Sequence, residues 1–162
     1  MTAIRCAIIG AMNAERVFFI TTVTAQRRAI FRQDATANLL VETLLHYRNQ
    51  GKYLLHEFVI MPDHVHALIA PVPEISLERA VQFIKGGFSF RLKSRFPIWQ
   101  ASFSNHRIRD FEDYQNYREY IWLNPVRAGF GERAEEYRYS SASKAFSLDP
   151  ISQGLKPALA AV

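Results

Sequence analysis

The chain has 162 residues, 49% of them hydrophobic and 22% charged, with 7 Gly, 7 Pro and one cysteine, Cys6. That is one ordinary domain able to bury a core, and it excludes a disordered, collagen-like or disulfide-framed protein and any cysteine-based zinc site. A net charge of +5, from 20 Lys+Arg against 15 Asp+Glu, is compatible with a polyanionic partner and specifies none. The single cysteine suits a reducing, cytoplasmic setting. The apolar stretch Ala7 to Met12 is too short to span a membrane and lacks a convincing cleavage site after it, so no signal peptide is expected.

Arg16 to Thr24 (RVFFITTVT) is rich in aromatic and β-branched residues and predicts a strand. A connection carrying Arg27, Arg28 and Arg32 follows. Asp34 can cap a helix in which Leu39, Leu40, Leu44 and Tyr47 recur at helical spacing, and Gly51 stops it. Tyr53 to Met61 and His64 to Pro71 predict two strands joined as a hairpin by Pro62-Asp63. Ser76 caps a second helix with the stripe Leu77, Val81, Ile84, Phe88 and Leu92; Gly86-Gly87 is expected to weaken it. Ala101 to Arg109 predicts a short fourth strand. Asp110 can cap a third helix ending near Asn124, because Pro125 fits poorly inside one. The last 15 residues or so read as a loosely attached terminus. The order β-α-β-β-α-β plus a third helix is that of an α+β, ferredoxin-like fold: an antiparallel sheet with two helices on one face. Such a fold names no function by itself.

Three features bear on chemistry. His64 and His66, two apart on a strand, point to one face, where two imidazoles can bind one divalent metal. The bland alternative is two polar residues on a solvated face, but their neighbours Val65, Ala67, Leu68 and Ile69 are apolar and the strand reads as central. A third ligand must come from elsewhere: Asp63, Glu57, His106 and Asn124 are candidates that sequence does not rank. On the third helix Tyr114, Tyr117 and Tyr120 recur every three residues, and at least two of them read as packing aromatics. Tyr120 and Asn124 share a helix face at i, i+4, where a phenol and an amide can meet the histidines. A tyrosine so placed can attack a phosphodiester while a metal polarises the phosphoryl oxygens. Finally, Lys85, Arg91, Lys93, Arg95, Arg107 and Arg109 fall in an acid-free segment interleaved with Phe88, Phe90, Phe96, Trp99 and Phe103. Cations for phosphates and rings for bases suit single-stranded nucleic acid, and Arg27 and Arg28 extend the patch. The alternative makes Phe88 and Leu92 core and the charges a solvated helix face.

FVIMPDHVHALIAP, WQASFSNHRIRD, and above all YREYIWLNPVRAGF followed by YRYSS resemble the single-tyrosine HUH transposases, most closely those associated with REP palindromes. The resemblance runs from about Val17 to Ser141, and implies a single transposase domain (core about 16–141) with an N-terminal extension, 1–15, and a C-terminal tail, 142–162. It implies that His64 and His66 bind Mg or Mn with Asn124, that Tyr120 is the catalytic tyrosine, and that single-stranded or hairpin DNA is cleaved through a 5′-phosphotyrosine. Asp63 stands where Asn is frequent in that family, and Phe130 where Leu is. The family uses both monomers and homodimers, so whether Tyr120 serves its own histidines or those of a second copy stays open. Two other readings are a non-catalytic or domesticated hairpin-binding module and a histidine-triad hydrolase. The latter lacks its nucleophile, since the third histidine would fall at Leu68.

Overall fold

A computed structural model describes residues 16–151; Cys6, the N-terminal extension, the signal-peptide reading and all but the first few residues of the terminus read as loosely attached lie outside the described residues. Four strands form the sheet: β1 (Phe18–Val23), β2 (Tyr53–Met61), β3 (His64–Pro71) and β4 (Ser104–Arg107). Their order is β2-β3-β1-β4, and every neighbouring pair is antiparallel. With helices α1 (Asp34–Asn49) and α2 (Leu77–Leu92) this is the ferredoxin-like arrangement. The third helix, α3 (Phe111–Arg127), packs on the opposite face.

Strand alternation divides the core in two. Ile20, Val65, Ala67 and Ile69 face the apolar stripes of α1 and α2, including Leu40, Leu44, Val81, Ile84 and Phe88. Val17, Phe19, Val59, Met61, Leu68 and Ala70 face α3 through Tyr114 and Ile121. His64 and His66, four and two residues ahead of Leu68, share the α3 face.

Hairpin, strand order and two caps match expectation. Ser76 Oγ accepts from the Arg79 N–H, and Asp110 Oδ1 from the Asp113 N–H at 2.8 Å. Gly51 and Gly129 take φ of +75° and +82° just past α1 and α3, a conformation glycine adopts without strain. Several local expectations are corrected by tertiary structure. The fourth strand is shorter than expected, spanning only Ser104–Arg107. Asp34 is the first residue of α1 rather than its cap; its carboxylate instead accepts from the Tyr139 hydroxyl at 2.6 Å. Gly86-Gly87 does not interrupt α2: a Cβ on Gly87 would run into the Tyr47 ring, so this glycine lets α1 and α2 approach. α3 runs on through Pro125 to Arg127, where Ala128 N–H still bonds the Asn124 carbonyl at 3.1 Å. The proline omits one helical hydrogen bond near the helix end, and its ring is buried.

The segment after α3 is also better anchored than its composition suggests. Tyr139 carbonyl accepts from Ile60 N–H at 2.9 Å, and Asp149 N–H donates to the Leu55 carbonyl at 3.0 Å. Asp149 Oδ2 takes the Leu55 N–H at 2.9 Å while Oδ1 pairs with Arg48 at 2.8 Å. Residues 139–149 therefore cover the otherwise open edge of β2. Among the described residues no helix is long and apolar enough to cross a membrane.

Candidate active site

The site is assembled on the face crossed by α3. His66 lies opposite Thr21 in the β1–β3 register, and Thr21 Oγ1 is 2.7 Å from His66 Nδ1. Burial, helped by the neighbouring His64, pushes the His66 pKa down to about 3, so its ring is neutral near pH 7. His64 is at the mouth of the strand, its ring 4.8 Å from that of His66 between centroids. His64 Nδ1 donates to Asp63 Oδ1 at 2.6 Å. Burial favours the neutral Asp63 carboxyl, but the contacts to His64 and Arg27 outweigh it and hold its pKa below the usual carboxylate range. An ionised carboxylate only accepts, so the shared proton belongs to Nδ1 and His64 Nε2 is left without a partner among the described residues.

α3 brings its residues to this pair because its start is clamped. Asp110 caps it, and buried Asp113 accepts from His106 at 2.8 Å and from the Arg109 N–H at 3.0 Å. For Asp113 too, burial is outweighed by these donors, His106 foremost, and the pKa is lowered. The helix then lays Tyr117 and Tyr120 on Phe19 of β1, with centroids 4.6 and 5.8 Å apart. Phe19 stacks on His66 at 5.2 Å, and Tyr120 meets the same imidazole edge-on at 5.3 Å. Tyr120 is 39% exposed, in contrast to buried Tyr114. Asn124 follows one turn later, half-buried, and Arg127 places its guanidinium 6.0 Å from the Tyr120 ring centre.

Of the four candidate third ligands, three are engaged elsewhere. Asp63 holds His64, and His106 is bonded to Asp113. Glu57 accepts from Trp122 Nε1 at 2.9 Å and from the Ser141 hydroxyl. Asn124 alone keeps its side chain without a hydrogen bond among the described residues. No group of three or more His, Cys, Asp or Glu is gathered among the described residues. Two imidazoles with their Nδ1 atoms occupied, one of them neutral by burial, nevertheless suit one divalent ion, and Asn124 lies one helical turn beyond the tyrosine that meets His66. Sequence reasoning missed Thr21, Phe19 and Asp113, whose roles come from strand register and helix docking. Arg127 was accessible from its spacing, seven residues beyond Tyr120 on the same helix face.

The basic residues divide. Lys85 Nζ is tied to the Gln100 carbonyl at 2.7 Å, and burial lowers its pKa; Arg28 is bonded to the Pro97 carbonyl and Arg27 to Asp63. Lys93 and Arg95 are exposed and Arg91 half-exposed at the end of α2, beside Phe90 and Phe96, which are 84% and 70% exposed. Arg107 and Arg109 are exposed on and after edge strand β4. Gln100 N–H bonds the Val23 carbonyl at 2.9 Å, and Val23 pairs with His64, so residues 97–100 reach the histidine end of the sheet. Phe88, by contrast, is core, packed between Phe31 and Trp99.

Residues 17–122 match the family model for IS200-like transposases, and the chain belongs to that family. It is 26% identical over 137 residues to the REP-associated tyrosine transposase of Escherichia coli, covering 84% of this chain and 79% of that protein. A Haemophilus influenzae protein described as a putative REP-associated tyrosine transposase is 31% identical over 134 residues, 69% of this chain and 76% of the relative. A solved structure of a REP-associated tyrosine transposase bound to a REP hairpin shares the fold, with a TM-score of 0.68 at 20% identity over 91% of each chain.

Proposed function

We propose that the protein cleaves and rejoins single-stranded DNA beside hairpins, with Tyr120 as nucleophile and His64, His66 and Asn124 holding a Mg or Mn ion. The observation that carries this reading is the Tyr120 ring set against His66 of its own chain, with both histidines already held by their Nδ1 atoms. The ion, when bound, would polarise the phosphoryl oxygens and neutralise charge that develops on them. Tyr120 Oη attacks phosphorus, the bond to the 3′-oxygen breaks, and the DNA 5′-phosphate becomes esterified to Tyr120. The phenolic proton ends on the departing 3′-hydroxyl. Attack by another 3′-hydroxyl reverses the balance and joins strands. Phe19 and His66 pack against the Tyr120 ring, which reduces the motion needed for attack. The Tyr120 ring against His66 of the same chain supports cleavage within one chain.

Lys93, Arg95 and Arg91 with Phe90 and Phe96 would hold the flanking strand by phosphate contacts and base stacking, and Arg107 and Arg109 would extend this grip. The names of the relatives direct the proposal to palindromic hairpins. The test is incubation of a labelled hairpin oligonucleotide bearing single-stranded flanks with the protein and Mg or Mn. A covalent adduct is expected from wild type and none from Tyr120→Phe. An adduct that survives that substitution, or its absence from wild type with hairpins of the relatives' type, overturns the assignment. Metal-independent hairpin binding without cleavage would instead favour a binding module.

A further inference from the structure

Asp63 occupies the turn between β2 and β3, directly before the first histidine. We propose that Asp63, held in turn by Arg27, is a positioning residue that fixes the tautomer and ring direction of His64. The inference rests on the metal reading above and adds a function for two residues outside the ligand set.

Both oxygens of this carboxylate are used. Oδ1 accepts from His64 Nδ1 at 2.6 Å, and Oδ2 accepts from Arg27 Nη1 at 3.3 Å. The backbone of the turn is fastened separately. The Asp63 carbonyl takes the Thr24 N–H at 2.9 Å and the Thr24 hydroxyl at 3.0 Å, while the Pro62 carbonyl takes the Phe31 N–H at 3.0 Å. The turn is therefore tied to the segment after β1 by three hydrogen bonds, and the carboxylate is gripped at either end. That segment bends through Gln26 and Arg27 at φ of 56° and 51°. Non-glycine residues in the left-handed region carry a steric cost and persist where the surroundings hold them. The bend delivers Arg27 to Asp63.

The two histidines are thus supported by different chemistry. His66 leans on a neutral hydroxyl, Thr21, and His64 on an anion. A carboxylate behind an imidazole sets the proton on Nδ1, keeps Nε2 free to ligate and increases its basicity. A residue that only packed the turn would not select a tautomer. Arg27 is 66% exposed at its side chain, so water screens its contact and its share is the smaller one.

Two measurements on the whole chain test this. In metal-free protein at about pH 8, above the ordinary histidine range, nitrogen-15 NMR should show His64 as the Nδ1–H tautomer. Calorimetric titration with Mn(II) alone should then show Asp63→Ala weakening affinity by about 10- to 100-fold. Asp63→Asn should recover most of that loss, since its amide oxygen accepts the same bond. Arg27→Ala should cost about two- to fivefold. An Nε2–H tautomer at His64 in the wild type overturns the proposal without any variant having to fold. So does wild-type Mn(II) affinity in Asp63→Ala while His64→Ala has lost it. Unchanged affinity in His64→Ala overturns the metal reading itself, and with it this inference.

Discussion

On the face of the sheet covered by α1 and α2, β3 presents Val65, Ala67 and Ile69, and each meets other apolar side chains. On the face crossed by α3 the same strand presents His64 and His66 before Leu68 and Ala70. The first face is held by area removed from water, a term without direction. The second keeps an apolar cluster of its own around Phe19, Leu68, Tyr114 and Ile121 and adds directed contacts at its polar end: Thr21 on His66, Asp63 on His64, Asp113 on His106, Glu57 on Trp122. The chemistry is thus confined to one face of the sheet while both faces contribute stability, and substitutions on the α1/α2 face should affect folding alone.

The largest effect is expected at Tyr120. Tyr120→Phe should lower adduct formation by at least about three orders of magnitude, yet shift unfolding free energy by no more than about 0.5 kcal/mol. Gel detection of the adduct and denaturant unfolding on the same sample read both. Phe88→Ala is the opposite case. Phe88 is fully buried between Phe31 and Trp99, so truncation should cost about 3–5 kcal/mol. Its adduct yield per folded molecule should stay near wild type; a loss greater than the loss of folded protein would break the division.

Asp113→Asn probes the junction of the two. Losing charge-assisted bonds to His106 and Arg109 should cost about 1–3 kcal/mol near pH 7. The pH sign follows from the lowered carboxyl pKa. Stability from Asp113 is complete above the ordinary carboxylate range of about 4 and is lost as pH falls through the lower folded value. Acid titration of stability should therefore be flatter in the variant, and an equally steep curve counts against the clamp. The smallest effects separate the paired glycines. Gly87→Ala drives a methyl into Tyr47 and should cost about 1–3 kcal/mol. Gly86→Ala meets nothing and should stabilise by about 0.5–1 kcal/mol. Thermal unfolding of the two variants checks the contrast.

The reading of Gly86-Gly87 as a weak point shows the limit of local rules: propensity prices the backbone, whereas the Tyr47 ring decides what Gly87 is for. Asp34 and Pro125 make the same point, since Tyr139 draws the first away from capping and packing keeps the second inside a helix. The anchoring of residues 139–149 was illegible because Asp149 on Leu55 and Arg48 joins residues about a hundred positions apart.

By itself the sequence determined the strand-helix order, the hairpin, two of the caps, and the same-face placement of His64 with His66 and of Tyr120 with Asn124. Those follow from periods of 2 and 3.6 residues, which are local properties of the chain. Only the tertiary structure decided that α3 crosses the histidine face and sets Tyr120 on its own His66, that Thr21 and Asp63 hold the two rings, and that Glu57 and His106 are engaged elsewhere. These relations join residues far apart in the chain and depend on strand register and helix docking, which the burial of both faces fixes together.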